Sequence, residues 1–209
     1  MHPVASTSSI ISPKRGSEDE TPNATSLGTL LLTSAQPNVS KRTIHQLDVG
    51  NRRVFIRVDF NVPIRDGLVA DDTRIRAALP TLNYVLEQGA TVILGSHLGR
   101  PGGKPNPAFT LRPVATRLAE LLGREIVFAE DSIGDAANTA ISRAGLGGVV
   151  LLENLRFHKG EETNDPTFAK ALAKQADCYV NDAFGSAHRS HASTTGIVSH
   201  LPEAAIGLL

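Results

Sequence analysis

Short apolar segments recur along this chain and constrain its fold more than any other feature. They are rich in β-branched residues and too short for typical helices, as expected of strands buried on both faces in a parallel sheet. The segments span residues 54–58, 92–94, 126–128, 149–152 and 178–180, and helix-like segments lie between them at about 71–89, 110–122, 134–143 and 165–175. This alternation favours right-handed βαβ crossovers. It predicts an α/β fold, a three-layer Rossmann-like domain with a mostly parallel sheet flanked by helices.

Pro80 lies inside the first helical segment. Proline lacks the backbone N–H that a helix interior needs, and its ring crowds the preceding turn. We therefore expect this helix to kink or restart at Pro80.

Charge and hydropathy argue against several classes of partner. The chain has 21 Lys and Arg residues and 21 Asp and Glu residues, so a basic site must be a local cluster. No apolar run approaches the ~18 residues of a membrane span. We expect neither a nucleic-acid partner nor a membrane partner.

Cys178 is the single cysteine, and it lies in an apolar run. One cysteine cannot form an internal disulfide, which favours a reducing compartment, and we expect a cytoplasmic protein. We interpret Cys178 as a small core residue rather than a nucleophile.

Residues 1–40 differ in composition from residues 41–209. They are rich in Ser, Thr, Pro and Asn and show no sustained apolar periodicity, which predicts a disordered tail before a single domain. A cleaved targeting peptide is the alternative. Ser and Thr richness favours it, whereas the acidic run at 18–20 and the sparse arginines argue against it.

Polar clusters directly follow four of the apolar segments. Parallel strands share one edge at their C-terminal ends, and open α/β sheets bind ligands there. The glycine-rich loop at 95–104 would let backbone amides approach a ligand closely. The clusters are Asp59 with Asn61, His97 with Arg100, Arg156, and His188 with Arg189 and His191, and Arg74 lies near the start of the first helix at the same edge. Guanidinium groups match carboxylate and phosphate oxygens, so these residues predict a small polyanionic ligand.

Serine and histidine residues near Arg189 suggest two other kinds of site, a serine hydrolase site and a zinc site, but each lacks essential parts. Ser186 and Ser190 lie near two histidines, but the chain has no G-x-S-x-G elbow of a serine hydrolase. The spacing of His188 and His191 suggests zinc, but the glutamate and third ligand of the helical zinc pattern are absent. We predict no metal site.

Five motifs in this chain resemble those of phosphoglycerate kinase, in the family's order and spacing. They are VDFNVP at 58–63, DTRIRAALPT at 72–81, SHLGRP at 96–101, LLENLRF at 151–157 and NDAFGSAHRSHAS at 181–193. The resemblance covers about 43–209 and implies the N-terminal, substrate-binding domain of an ATP-dependent kinase of glycolysis. The implied substrates are 3-phosphoglycerate and 1,3-bisphosphoglycerate.

The resemblance also implies roles for individual residues. Asp59 and Asn61 would hold the hydroxyl end of the substrate, and Arg74 would stabilise the transferring phosphoryl group as the catalytic residue. The basic patch for carboxylate and phosphate would comprise Arg74, His97, Arg100, Arg156 and Arg189, supported by His188 and His191. Phe60, Leu98 and Gly99 would complete the substrate-binding set. Ser186 stands where the family often has Thr, a change that keeps the hydroxyl.

One departure from the family concerns the nucleotide. Phosphoglycerate kinases bind Mg-ATP or Mg-ADP mainly on a C-terminal domain, and this chain ends at Leu209. The stretches 102–105 and 145–148 complete neither a P-loop nor a dinucleotide fingerprint. We therefore expect no cofactor on this chain, no turnover by it alone, and a complete enzyme that is monomeric. The alternative is a catalytically inactive anion-binding module or a partner-dependent half-enzyme.

Overall fold

The computed structural model describes residues 42–183, 185 and 189–209. The tail expected over residues 1–40 and the predicted site residue His188 lie outside the described residues, as does Ser186.

The secondary structure alternates between strands and helices, as the apolar pattern predicts. The described strands are β1 (Arg53–Val58), β2 (Ile64–Arg65), β3 (Leu68–Val69), β4 (Thr91–Gly95), β5 (Val127–Ala129), β6 (Val149–Leu152), β7 (Cys178–Asp182) and β8 (Ala204–Ile206). The described α-helices are α1 (Thr73–Glu87), α2 (Arg112–Leu122), α3 (Gly134–Ala144), α4 (Lys159–Glu162) and α5 (Pro166–Ala173). Single turns of 3-10 helix include Leu155–Phe157 after β6, and a π-helical turn spans Ala192–Gly196.

The central sheet has the strand order β5-β6-β4-β1-β7-β8, and every neighbouring pair in it is parallel. Val54 in β1 lies beside Val92 on one side and Cys178 on the other. β2 and β3 form a separate antiparallel hairpin, whose turn at Asp66 and Gly67 has positive φ at both positions. The predicted α/β fold is confirmed.

Side chains of the central strands alternate between two apolar layers. Ile56 and Leu94 belong to the cluster that contains Leu82 of α1, together with Leu118 of α2. The other face of the same strands belongs to the second cluster, which includes Phe55, Ile93 and residues of α3 and α5. Because successive strand residues point to opposite faces, the sheet lies between two helical layers. Helix, sheet and helix therefore form the three predicted layers.

Of the two outcomes expected at Pro80, a kink or a restart, the restart is wrong, because α1 continues through Pro80 without interruption. Pro80 and Arg76 both lie on the exposed side of α1. The carbonyl of Arg76 loses its i+4 donor at Pro80, and its place on the exposed side leaves it open to water. The missing bond is therefore tolerated.

Three further features bear on the sequence-based expectations. Cys178 is a free, fully buried residue of the core, as predicted. Over the described ranges, none of the helices combines the length and apolar character that crossing a membrane would require. β8 was not predicted, and it extends the sheet beyond β7, where Ile206 N–H donates to the carbonyl of Arg42.

Candidate functional site

Four neighbouring strands place the predicted polar clusters along one edge of the sheet. β6, β4, β1 and β7 lie side by side and run in the same direction. Their C-terminal ends are followed, in that spatial order, by Arg156, by His97 with Arg100, by Asp59 with Asn61, and by Arg189 with His191. The first turn of α1 brings Arg74 to the same edge, where it pairs with Asp59. The structure thus brings together the predicted site residues that it describes.

Asp59 and Arg74 form an ion pair in which Nη1 lies 2.6 Å from Oδ2. The Arg74 side chain keeps 52% of its surface exposed, whereas Asp59 keeps 19%. Asp59 also accepts a 3.3 Å hydrogen bond from the backbone N–H of Asn61. The carboxylate therefore orients Arg74 while about half of the arginine side chain stays open to solvent.

Gly99 is fixed from both sides by side chains of the site. Its N–H donates to Asn61 Oδ1 at 2.9 Å, and its carbonyl accepts from Arg156 Nη1 at 2.8 Å. Its φ is +61°, and a Cβ at this position would lie 2.4 Å from the ring of Phe109. Glycine is therefore required for the turn that carries Arg100.

Phe60 and Leu98 contribute to the site in a different way. Both side chains are buried in the core cluster. The Phe60 N–H donates to Ser96 Oγ at 2.9 Å, and the Leu98 carbonyl accepts from Asn154 Nδ2 at 2.7 Å. These two residues anchor the loops, and their side chains face the core rather than solvent.

Apart from Arg74, the arginines of the edge fall into two kinds. Arg100 and Arg189 are exposed, and neither guanidinium has a carboxylate partner in the part of the chain that the structure describes. Arg156 is buried, with only 3% of its surface exposed, and burial lowers its pKa although a guanidinium stays charged in proteins. Its Nε lies 3.3 Å from Glu162 Oε1. A poorly hydrated cation beside two unpaired ones favours binding of an anion.

His97 is a buried histidine among cations. It is 6% exposed, and burial lowers its pKa to about 2, with further lowering by Arg57, Arg156, Arg189 and His191. The imidazole is therefore neutral at physiological pH. Burial also lowers the pKa of His191, whose Nδ1 lies 3.8 Å from Glu161 Oε1.

Sequence reasoning missed three buried polar residues behind the site: Arg57, Glu161 and Ser193. Arg57 was treated as part of an apolar strand, although a charged residue within a fully buried strand is itself a signal. Glu161 and Ser193 carry no comparable signal, because their burial depends on how α4 and the π-helical turn pack together. Among the described residues, no cluster of three or more His, Cys, Asp or Glu residues is arranged to hold a metal ion.

Comparisons with known proteins agree on one family. The family model described as phosphoglycerate kinase matches residues 44–209. The phosphoglycerate kinase of Picosynechococcus sp. is 56% identical over 171 residues, and that of Desulforudis audaxviator is 57% identical over 170 residues. Each alignment covers 81% of this chain and 43% of the relative, so the chain spans less than half the length of these curated relatives.

Solved structures give the same result. The phosphoglycerate kinase of Coxiella burnetii superposes with a TM-score of 0.69 at 38% identity, covering 80% of this chain and 41% of that one. The enzyme of Pyrococcus horikoshii superposes with a TM-score of 0.72 at 36% identity, covering 80% and 42%. Both the sequence and the fold of the described domain are thus similar to one part of these longer proteins.

Proposed function

This chain belongs to the phosphoglycerate kinase family, and we propose that it supplies the 3-phosphoglycerate-binding half of that enzyme. The complete enzyme would move a phosphoryl group between 1,3-bisphosphoglycerate with ADP and 3-phosphoglycerate with ATP. Residues 41–209 would form the substrate-binding domain.

The arrangement of the arginines supports this proposal most strongly. Arg100 and Arg189 are exposed, have no carboxylate partner among the described residues, and lie at the same edge as the buried Arg156. A ligand with a carboxylate at one end and a phosphate at the other can engage several guanidinium forks at once. Asp59 and Asn61 would bind the hydroxyl group between those ends.

Arg74 is the proposed catalytic residue. Phosphoryl transfer depends mainly on positioning and on neutralising the charge of the transferring group. Arg74 lies in the first turn of α1 at the carboxyl edge, and its side chain is more than half exposed, so its guanidinium can reach a phosphoryl group that approaches from solvent.

Mg-ATP and Mg-ADP would be bound mainly by the part of the enzyme that this chain does not contain. Magnesium bound to a nucleotide takes most of its ligands from phosphate oxygens and water, with one or two protein carboxylates. We therefore assign the ion no step on this chain. We further propose that the complete enzyme is monomeric. We also propose that it is cytoplasmic, since the free, buried thiol of Cys178 suits a reducing compartment.

Reconstitution from two chains tests the proposed activity. The nucleotide-binding half of a related phosphoglycerate kinase would be added to the 209-residue chain with 3-phosphoglycerate and Mg-ATP. We expect phosphorylation that rises with the concentration of the added half, because assembly is bimolecular, and none with either half alone. Two folded halves that bind their own ligands and show no activity together would contradict the proposal that this chain can act as a separate half.

A further inference from the structure

A line of buried, hydrogen-bonded polar residues runs from α4 to His97 behind the arginines of the candidate site. Glu161 in α4, Ser193 in the π-helical turn and Arg57 in β1 are all fully buried. Three elements that are distant in sequence thus meet at one line of hydrogen bonds, and none of these three residues is assigned a role in the proposed function.

Along this line of buried polar residues, the chemistry of each group decides which atom donates each hydrogen bond and which accepts it. Ser193 Oγ donates to Glu161 Oε1 at 2.6 Å, and the Ser193 N–H donates to Glu161 Oε2 at 3.0 Å. Ser193 Oγ in turn accepts from Arg57 Nε at 2.8 Å. Both oxygens of the carboxylate are therefore used to hold Ser193, and the hydroxyl of Ser193 holds Arg57.

Each of the three guanidinium nitrogens of Arg57 contacts a protein partner. Its Nη1 donates to the carbonyl of Val58, and its Nη2 lies 3.1 Å from His97 Nδ1. A buried guanidinium needs a counter-charge, and Glu161 supplies one through the single hydroxyl of Ser193. Arg57 thus acts as a fixed support beneath the site, not as an exposed anion ligand.

The contact between Arg57 and His97 determines where the imidazole carries its proton. A guanidinium has five N–H donors and no acceptor, so His97 Nδ1 must accept. In a neutral imidazole with Nδ1 as acceptor, the proton lies on Nε2. We propose that Glu161 and Ser193 are positioning residues that act through Arg57 to hold His97 as the neutral tautomer with its proton on Nε2.

The surroundings of His97 support a neutral ring. The charged and titratable groups that act on it are Arg57 from β1, Arg156 from the turn after β6, and Arg189 and His191 from the segment after β7. All three arginines disfavour a second proton on the ring. The Nε2–H would then serve as a neutral donor to a substrate oxygen, a final step that rests on the proposed function.

Nitrogen NMR on the full 209-residue chain tests the assignment without any ligand. In the unmodified protein we expect His97 to show an unprotonated Nδ1 and a protonated Nε2 between about pH 5 and 8, the range in which an ordinary histidine changes charge. A proton on Nδ1, or a ring that becomes doubly protonated in this range, would overturn the proposal. This measurement needs no variant and therefore does not depend on the folding of a mutant.

Ser193→Ala tests the positioning role, with Thr81→Val as the matched control. Both changes remove a buried hydroxyl that donates to a buried carboxylate, since Thr81 Oγ1 lies 2.8 Å from Asp182 Oδ1. We expect only Ser193→Ala to give a mixture of His97 tautomers and to weaken 3-phosphoglycerate binding about tenfold, which corresponds to about 1.4 kcal/mol. Identical His97 signals in the two variants would overturn the positioning role.

The proposed function and the positioning proposal fail in different ways. If the protein binds no 3-phosphoglycerate and yet shows the expected His97 tautomer and its loss in Ser193→Ala, the proposed function is wrong and the positioning role stands. If binding is normal and the tautomer is not as expected, the positioning role is wrong and the proposed function stands.

Discussion

The Arg74 guanidinium lies 2.6 Å from the Asp59 carboxylate and ties the first turn of α1 to the segment that follows β1. This pair orders Arg74 without burying it, because 52% of the arginine side chain remains exposed. A residue held in this way can meet charge that develops during phosphoryl transfer at little additional cost in side-chain entropy.

Arg74→Ala should therefore affect turnover far more than binding. In the two-chain enzyme we expect a loss of about 10³-fold or more in turnover, the scale for removing an arginine that stabilises a transferring phosphoryl group. Affinity for 3-phosphoglycerate, measured by calorimetry, should fall much less. Arg76→Ala is the control, since Arg76 lies on the same helix and pairs with Asp72 at 2.9 Å. Equal losses of turnover in both variants would contradict the role of Arg74.

Arg100→Lys should weaken binding of the substrate although the charge is kept. A lysine ammonium cannot reproduce the planar, two-pronged contact of a guanidinium, so we expect about a tenfold loss in affinity. Arg124→Lys is the control, because Arg124 precedes β5 at the opposite edge of the sheet and donates to the Gly147 carbonyl at 3.2 Å. Equal losses at both positions would mean that the arginines act only as a diffuse positive field.

His97 should make the folded state sensitive to acid. Its pKa is lowered to about 2 from an ordinary value of 6.5, mainly by burial. Below pH 6.5, His97 therefore binds a proton in the unfolded chain but not in the folded chain. Stability therefore falls as the pH falls, by up to about 1.4 kcal/mol per pH unit from this group. Urea unfolding at a series of pH values should show a shallower slope for His97→Gln. Equal slopes in the two proteins would show that His97 titrates normally when folded.

The fold could be predicted from the sequence because its central strands are buried on both faces. Continuous apolar runs such as 149–152 are compatible with few structures other than a strand of a buried parallel sheet. The polar residues that follow such strands then lie at the same edge of the sheet by geometry alone. The role of Arg57 could not be predicted because its partner Ser193 is 136 positions away in the sequence. Strand β8 could not be predicted because a three-residue edge strand has little apolar pattern. Such features depend on packing between distant elements, which spacing along the chain does not encode.

Residues 1–40 should be removable, as their composition predicts. The described structure begins at Arg42, whose carbonyl accepts from Ile206 N–H at 2.8 Å. Limited proteolysis should leave a resistant fragment that starts near Lys41 and keeps the melting temperature of the full chain. A truncation that loses several degrees of melting temperature would show that the N-terminal segment packs on the domain.

Titration calorimetry with 3-phosphoglycerate tests the central claim most directly, because it asks whether the arginines of this chain form a complete substrate site. We expect one molecule to bind per chain, with affinity that Arg156→Lys weakens at least tenfold because the buried fork and its bond to the Gly99 carbonyl are lost. No heat of binding to the folded chain, or the same affinity in Arg156→Lys, would contradict the account.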